Sequence, residues 1–209
     1  MARIGARSIP VLSRGDEFVF AQNIAQVVAF LKLNEKTGPV LSPAQLVERM
    51  DRFLGAALQI IPLMPDDRLD TEVPNRPRAY RVLAHHMFRI PDAFVEVAGG
   101  AFFAQGLPTN VARQEDLAST AALAAYGSGV RERVAQWWDA TADKSCEQTV
   151  QTYYGPQKLH EVLERATWHI GQHCRQWMML LEMGGIGFER PLSDPDFVDL
   201  PMPKQVWDG

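Results

Sequence analysis

The chain has 209 residues, 46% of them apolar, and a formal net charge of −4 with a pI near 5.7. That balance argues against a nucleic-acid binder, which needs a basic face, and no apolar run reaches the ~18 residues of a membrane helix. Its two cysteines, Cys146 and Cys174, form no CxxC pair, so a reducing cytoplasm is expected rather than a disulfide framework. The opening MARIGARSIPVLSRGDEFVF carries basic residues but no apolar segment with a cleavage site, which adds to the expectation of a cytoplasmic, non-secreted protein.

Taken in order, residues 8–12 (SIPVL) read as a short strand. The turn Arg14-Gly15-Asp16 and a second strand from Glu17 to Phe20 complete a predicted hairpin. Residues 21–33 follow with Ile24, Val27, Val28 and Leu31 at helical spacing. A lone hairpin is marginal, so this unit must pack on the remainder or on a second subunit, and a homodimer is expected. Ser42 as N-cap and Pro43 in the first turn open a helix to about Ile61, ended by Pro62 and Pro65. A second helix is predicted from about Pro77 to Val97, with a kink or break near Ile90 because Pro91 lacks a backbone donor. Residues 101–116 read as a loop or short helix, with a cap at Thr109 or Asn110. A third helix covers Ser119–Trp138, open to interruption at Gly127-Ser128-Gly129. Pro156 is read as the first-turn proline of the last helix.

That last helix, LHEVLERATWHIGQHCRQWMMLLEM at 159–183, carries His169 and His173 one turn apart on the flank of an apolar stripe of Leu159, Leu163, Ala166, Ile170, Trp177 and Leu181. Two imidazoles so placed can grip one divalent cation if a third ligand arrives from another helix. The chain has five histidines, and two of them, His85 and His86, stand side by side on the second predicted helix. His160 lies about 180° around the helix from His169 and is expected at the surface. Cys174 is read as a small core residue. Gln176, on the His169 flank, is a candidate to bind substrate or the second nitrogen of a ligand. The simplest arrangement of four such helices is an up-down bundle, and bundle cores are regular places for metal sites.

The segments VLAH at 82–85 and LHEVLERATWHIGQHCRQ at 159–176, with the run to Gly184-Gly185, resemble the DinB-like bundle family, which includes the YfiT-type thiol transferases. The resemblance covers roughly 42–186 and implies a mainly α fold, a four-helix up-down bundle over 42–190; the residues themselves add a β-hairpin–helix appendage over 1–36 and an extended tail over 191–209. The resemblance also implies that one histidine of the second helix and two of the last hold a divalent metal. The family's V-L-x-H spacing points to His85. The helical reading instead puts His86 nearer the centre of the stripe formed by Ala79, Val82, Ile90 and Ala93. His85, His169 and His173 are taken as the ligands, with His86 as a core or supporting imidazole. The front element resembles the closing part of a glutaredoxin-like fold, which implies a cis-proline at Pro10 beside glutathione; a packing or dimerisation role is the alternative.

Three neutral imidazoles leave a cation its full charge and an open position, the pattern of a catalytic zinc site. A thiol entering there is deprotonated, and the thiolate is the nucleophile. The expected function is a metal-dependent S-transferase or isomerase that activates a low-molecular-weight thiol, glutathione by the resemblance, as a metal-bound thiolate against a small electrophile. Zinc is the first choice of ion, with nickel, manganese and iron also suited to imidazole. Arg89 and Arg165, one turn from His85 and His169, are candidates for a carboxylate. Gln172, Gln176 and Tyr153 complete the substrate-binding set. The same ligands with bound water would support a hydrolase, and a non-catalytic bundle whose hairpin mediates assembly is the third reading.

Overall fold

The structure, a computed structural model, describes residues 11–21, 24–34, 37–74, 76–109 and 117–207. Pro10, and with it the expected cis-proline, lies outside these residues, as does Asn110. Strand β1 (Val11–Arg14) pairs antiparallel with β2 (Glu17–Phe20), with Arg14 opposite Glu17. Gly15 in the turn takes φ +64°, a region open to glycine without steric cost. Helix α1 (Ile24–Leu31) packs back on β2 and ends two residues before the predicted end at Leu33.

Helix α2 (Pro43–Ile60) starts at the predicted cap: the Ser42 side chain accepts from the Gln45 amide, and the Gln45 side chain accepts from Ser42 N–H. Helix α3 (Tyr80–Ala98) stays helical through Pro91, so the expected break is absent. Proline forfeits one bond to the carbonyl four residues back, but Met87 through Pro91 are all buried, and tertiary packing outweighs that loss. Helix α4 (Thr120–Ala140) likewise runs unbroken through Gly127-Ser128-Gly129. Gly127 is there because a side chain would not fit: a Cβ would lie 2.4 Å from the Phe88 ring.

A second hairpin, β3 (Thr149–Thr152) and β4 (Gly155–Lys158), was not expected. Pro156 sits in β4 opposite Gln151 rather than in the first turn of the last helix, which begins at Leu159. This α5 (Leu159–Met183) packs along α2 and along α3, and α4 closes against the same two helices. The described residues therefore form a mainly α fold of packed helices with two small hairpins. Phe53, Phe88, Met87, Leu46 and Trp177 are fully buried between the helices, each side chain contributing roughly 1.5–3 kcal/mol by burial. Gly171 lets α5 approach α2, since a Cβ there would meet the Phe53 ring at 2.9 Å. No helix among the described residues is long and apolar enough to cross a membrane.

Beyond α5 the chain folds back over α2 and then α5. Arg52 bonds the Asp196 carboxylate at 3.1 Å and the Pro191 carbonyl at 2.9 Å, and Phe197 stacks on Phe53. Leu192 and Leu200 are buried. The tail ends its described course against α5, where three side chains hold its carbonyls: Gln172 those of Gln205 and Val206, Arg175 that of Pro203, and Gln176 that of Val206.

Candidate metal centre

Positions 169 and 173 share one face of α5, and their rings lie 4.8 Å apart between centroids. Helix α3 packs on that face and contributes His86, whose ring lies 5.5 Å from His169 and 4.9 Å from His173. One nitrogen from each of the three lies within 4.8 Å of the other two. A tetrahedral ion with Zn–N bonds of 2.0–2.1 Å spaces its nitrogens about 3.4 Å apart, so the rings would draw together on binding one. His85 is elsewhere. It stacks on Tyr126 of α4 at 4.8 Å, and the Tyr126 hydroxyl donates to Asp92 at 2.7 Å. Successive helical side chains diverge by ~100°, so the His that faces α5 is the one at the centre of the α3 stripe. The described cluster contains His86, where the sequence reading placed His85.

Hydrogen bonds set the tautomers. His86 Nδ1–H donates to the Pro108 carbonyl at 2.7 Å, because a carbonyl can only accept. His173 Nδ1–H donates to Gln176 Oε1 at 2.7 Å, and the Gln176 amide nitrogen in turn donates to Val206 O at 3.0 Å. Both rings therefore present a lone pair on Nε2. That of His173 is buried and has no hydrogen-bond partner. A buried acceptor without a partner is costly, and a cation is a partner that three ring nitrogens within 4.8 Å of one another can take. Burial, and then the neighbouring rings and Arg78, hold all three imidazoles below their usual range. His86 falls to about 4 and His173 to about 3, and His169 is also lowered well below normal. The rings are thus neutral at pH 7, the protonation state a metal ligand requires. Two fixed tautomers, an orphaned nitrogen and three neutral rings together fit a divalent ion.

The cluster opens onto a cavity of about 290 Å³ with an apolar wall that includes Ile90, Phe94, Val97 and Phe103. Tyr153 and Arg165 line it as well, and the Arg165 guanidinium stands over the Tyr154 ring at 5.5 Å. The second hairpin places Tyr153: its N–H donates to Phe103 O, and Phe103 N–H to Gln151 O. Arg89 does not line this cavity. It is taken up by Asp92 and Glu96 of its own helix. Gln172 and Gln176 are engaged with the tail, and Gln176 is the partner of a candidate ligand's second nitrogen. His160 is not a free surface ring: half-buried, its Nε2–H donates to Leu41 O at 2.9 Å. Cys174 is fully buried and its thiol is pushed up by burial, so it is a core residue.

Three participants were not anticipated. Pro108 orients His86, Trp207 lies in a second cavity beside His169 and His173, and Arg78 lines both cavities. None carries a local signal, since each reaches the site from a loop or tail by tertiary packing. Compared with known proteins, the chain matches no family model, and neither a curated protein nor a solved structure is significantly similar to it.

Proposed function

We propose that the chain binds one divalent cation through His86, His169 and His173 and with it transfers a small thiol to, or isomerises, an electrophilic substrate in the adjoining cavity. The observation that carries this reading is the buried, unpartnered Nε2 of His173 facing two further neutral imidazoles. Zinc is the ion of first choice, with nickel, manganese and iron next. When bound on three histidines, such an ion supplies Lewis acidity at an open position and favours deprotonation of a thiol that reaches it. The chain's own residues supply the surroundings. Ile90, Phe94, Val97 and Phe103 keep the cavity wall apolar and exclude water, which strengthens every charge interaction inside. Arg165 offers a guanidinium to a carboxylate of a thiol such as glutathione. Gln176 holds the His173 ring with its Nε2 lone pair turned to the cluster.

On this reading residues 42–190 act as an up-down four-helix bundle of the DinB-like kind, with 1–36 as an appendage that pairs two chains in a homodimer and 191–209 as a tail. The test is a rate measurement on zinc-loaded protein with glutathione and an activated aryl halide. Product formation should require thiol, stop on chelation and fall more than ~100-fold in His169→Ala, beyond the ~10- to 100-fold that losing a ligand's hydrogen-bond partner costs. Turnover of an ester without thiol would assign hydrolysis to the site instead.

A further inference from the structure

The tail closes off a second cavity of about 260 Å³ on the other side of His169 and His173. Its lining contains Arg78, Leu83, Trp168 and Trp207 and no acidic residue. Two of its hydrogen-bond donors are unengaged. The half-buried Arg78 side chain has neither an ion pair nor a hydrogen bond among the described residues. The Trp207 Nε1–H is buried and has no partner. The other amides around the cavity are spoken for: Gln172 and Gln176 bond tail carbonyls, Arg175 and His173. Burial, and then the charge of Arg76, hold the Arg78 guanidinium below the usual arginine range, and an anion beside it would relieve both.

We infer that this second cavity is a carboxylate subsite: Arg78 and the Trp207 indole N–H receive a carboxylate of the molecule handled at the histidine cluster, with Trp168 and Leu83 flanking its apolar part. A guanidinium presents forked donors that match a carboxylate, and an indole nitrogen can only donate. The two chambers meet at the cluster and at Arg78, so a carboxylate-bearing reactant held in the tail-walled chamber reaches the histidines from one side and an apolar reactant from the other. This deepens the function proposed above and rests on it only in making the anion part of the molecule handled there. The chamber's preference for a carboxylate is measurable without metal.

The experiment is calorimetric titration of metal-free full-length protein with phenylacetate and with its neutral analogue phenylacetamide. Phenylacetate should bind about tenfold or more tightly than the amide, the scale of a charge-assisted hydrogen bond. Arg78→Gln should abolish the discrimination, and Trp207→Phe should reduce it several-fold. Equal binding of the two probes, no binding of either, or a preference that survives in Arg78→Gln would overturn the inference. Trp207→Phe is interpreted only if its melting temperature equals the wild type's. Otherwise the half-buried Arg78→Gln decides alone. Zinc titration of the same proteins separates this inference from the metal reading. Arg78→Gln removes a like charge beside the cluster and should take zinc at least as tightly as wild type. A wild-type protein that selects phenylacetate but takes up no zinc would sink the metal centre and leave the subsite standing.

Discussion

His85 and His86 are chemically the same and adjacent in the chain, yet one stacks on Tyr126 of α4 and the other meets the pair on α5. The predicted consequence is a clean split on metal analysis. His86→Ala should lose stoichiometric metal, while His85→Ala should retain it although the ring contact with Tyr126 is gone. Gln176 gives a finer test. Its amide fixes the His173 tautomer, so Gln176→Leu should weaken metal binding about 10- to 100-fold with the fold retained, as read by competition with a chromogenic chelator. Protonation adds a third prediction. An unfolded histidine titrates near pH 6.5, whereas His86 and His173 in the fold titrate near 4 and 3. Between those limits the unfolded chain binds more protons than the folded one, so stability is full above about pH 6.5 and falls as the pH drops toward 4. Urea midpoints of the metal-free protein should follow that curve, and a triple histidine-to-alanine variant should show a flatter one. The pair on α5 was legible from its four-residue spacing. The choice between the two α3 histidines was not, because a family spacing and a helical-stripe argument pointed different ways and only the stripe encodes which neighbour the ring meets.

At the scale of elements, caps and stripes located α2 and α5 closely, and neither candidate breaker ended its helix. Pro91 and the Gly127–Gly129 run each weaken a helix locally, but α3 and α4 bury their faces against each other and stay continuous. Gly127 instead marks a close approach. Gly127→Ala should cost about 1–3 kcal/mol in a denaturant titration, as overpacking against the fully buried Phe88. A near wild-type midpoint would show that Phe88 can yield. The second hairpin went unread because Pro156 in front of a periodic helix resembles a first-turn proline. In the structure it is a strand residue of β4, and the hairpin it completes sets Tyr153 beside the cavity.

On the scale of the whole molecule, the site depends on parts that meet only when the chain is folded: α3 and α5 for the rings, the 107–109 turn for the Pro108 carbonyl, the loop before α3 for Arg78, and the tail for Trp207. No window of sequence contains that set, which is why the histidine pair was visible and its surroundings were not. A ligand bound by the native state alone stabilises it by about 2.7 kcal/mol at a hundredfold excess over Kd. The metal-loaded protein should therefore melt at a higher temperature than the chelated one, and the difference should vanish in His86→Ala. The most direct check on the central claim is X-ray absorption of the zinc-loaded protein. The account predicts a first shell with three imidazoles at about 2.0–2.1 Å and one oxygen ligand from water. A shell with fewer than three imidazoles, or one unchanged in His86→Ala, would contradict it.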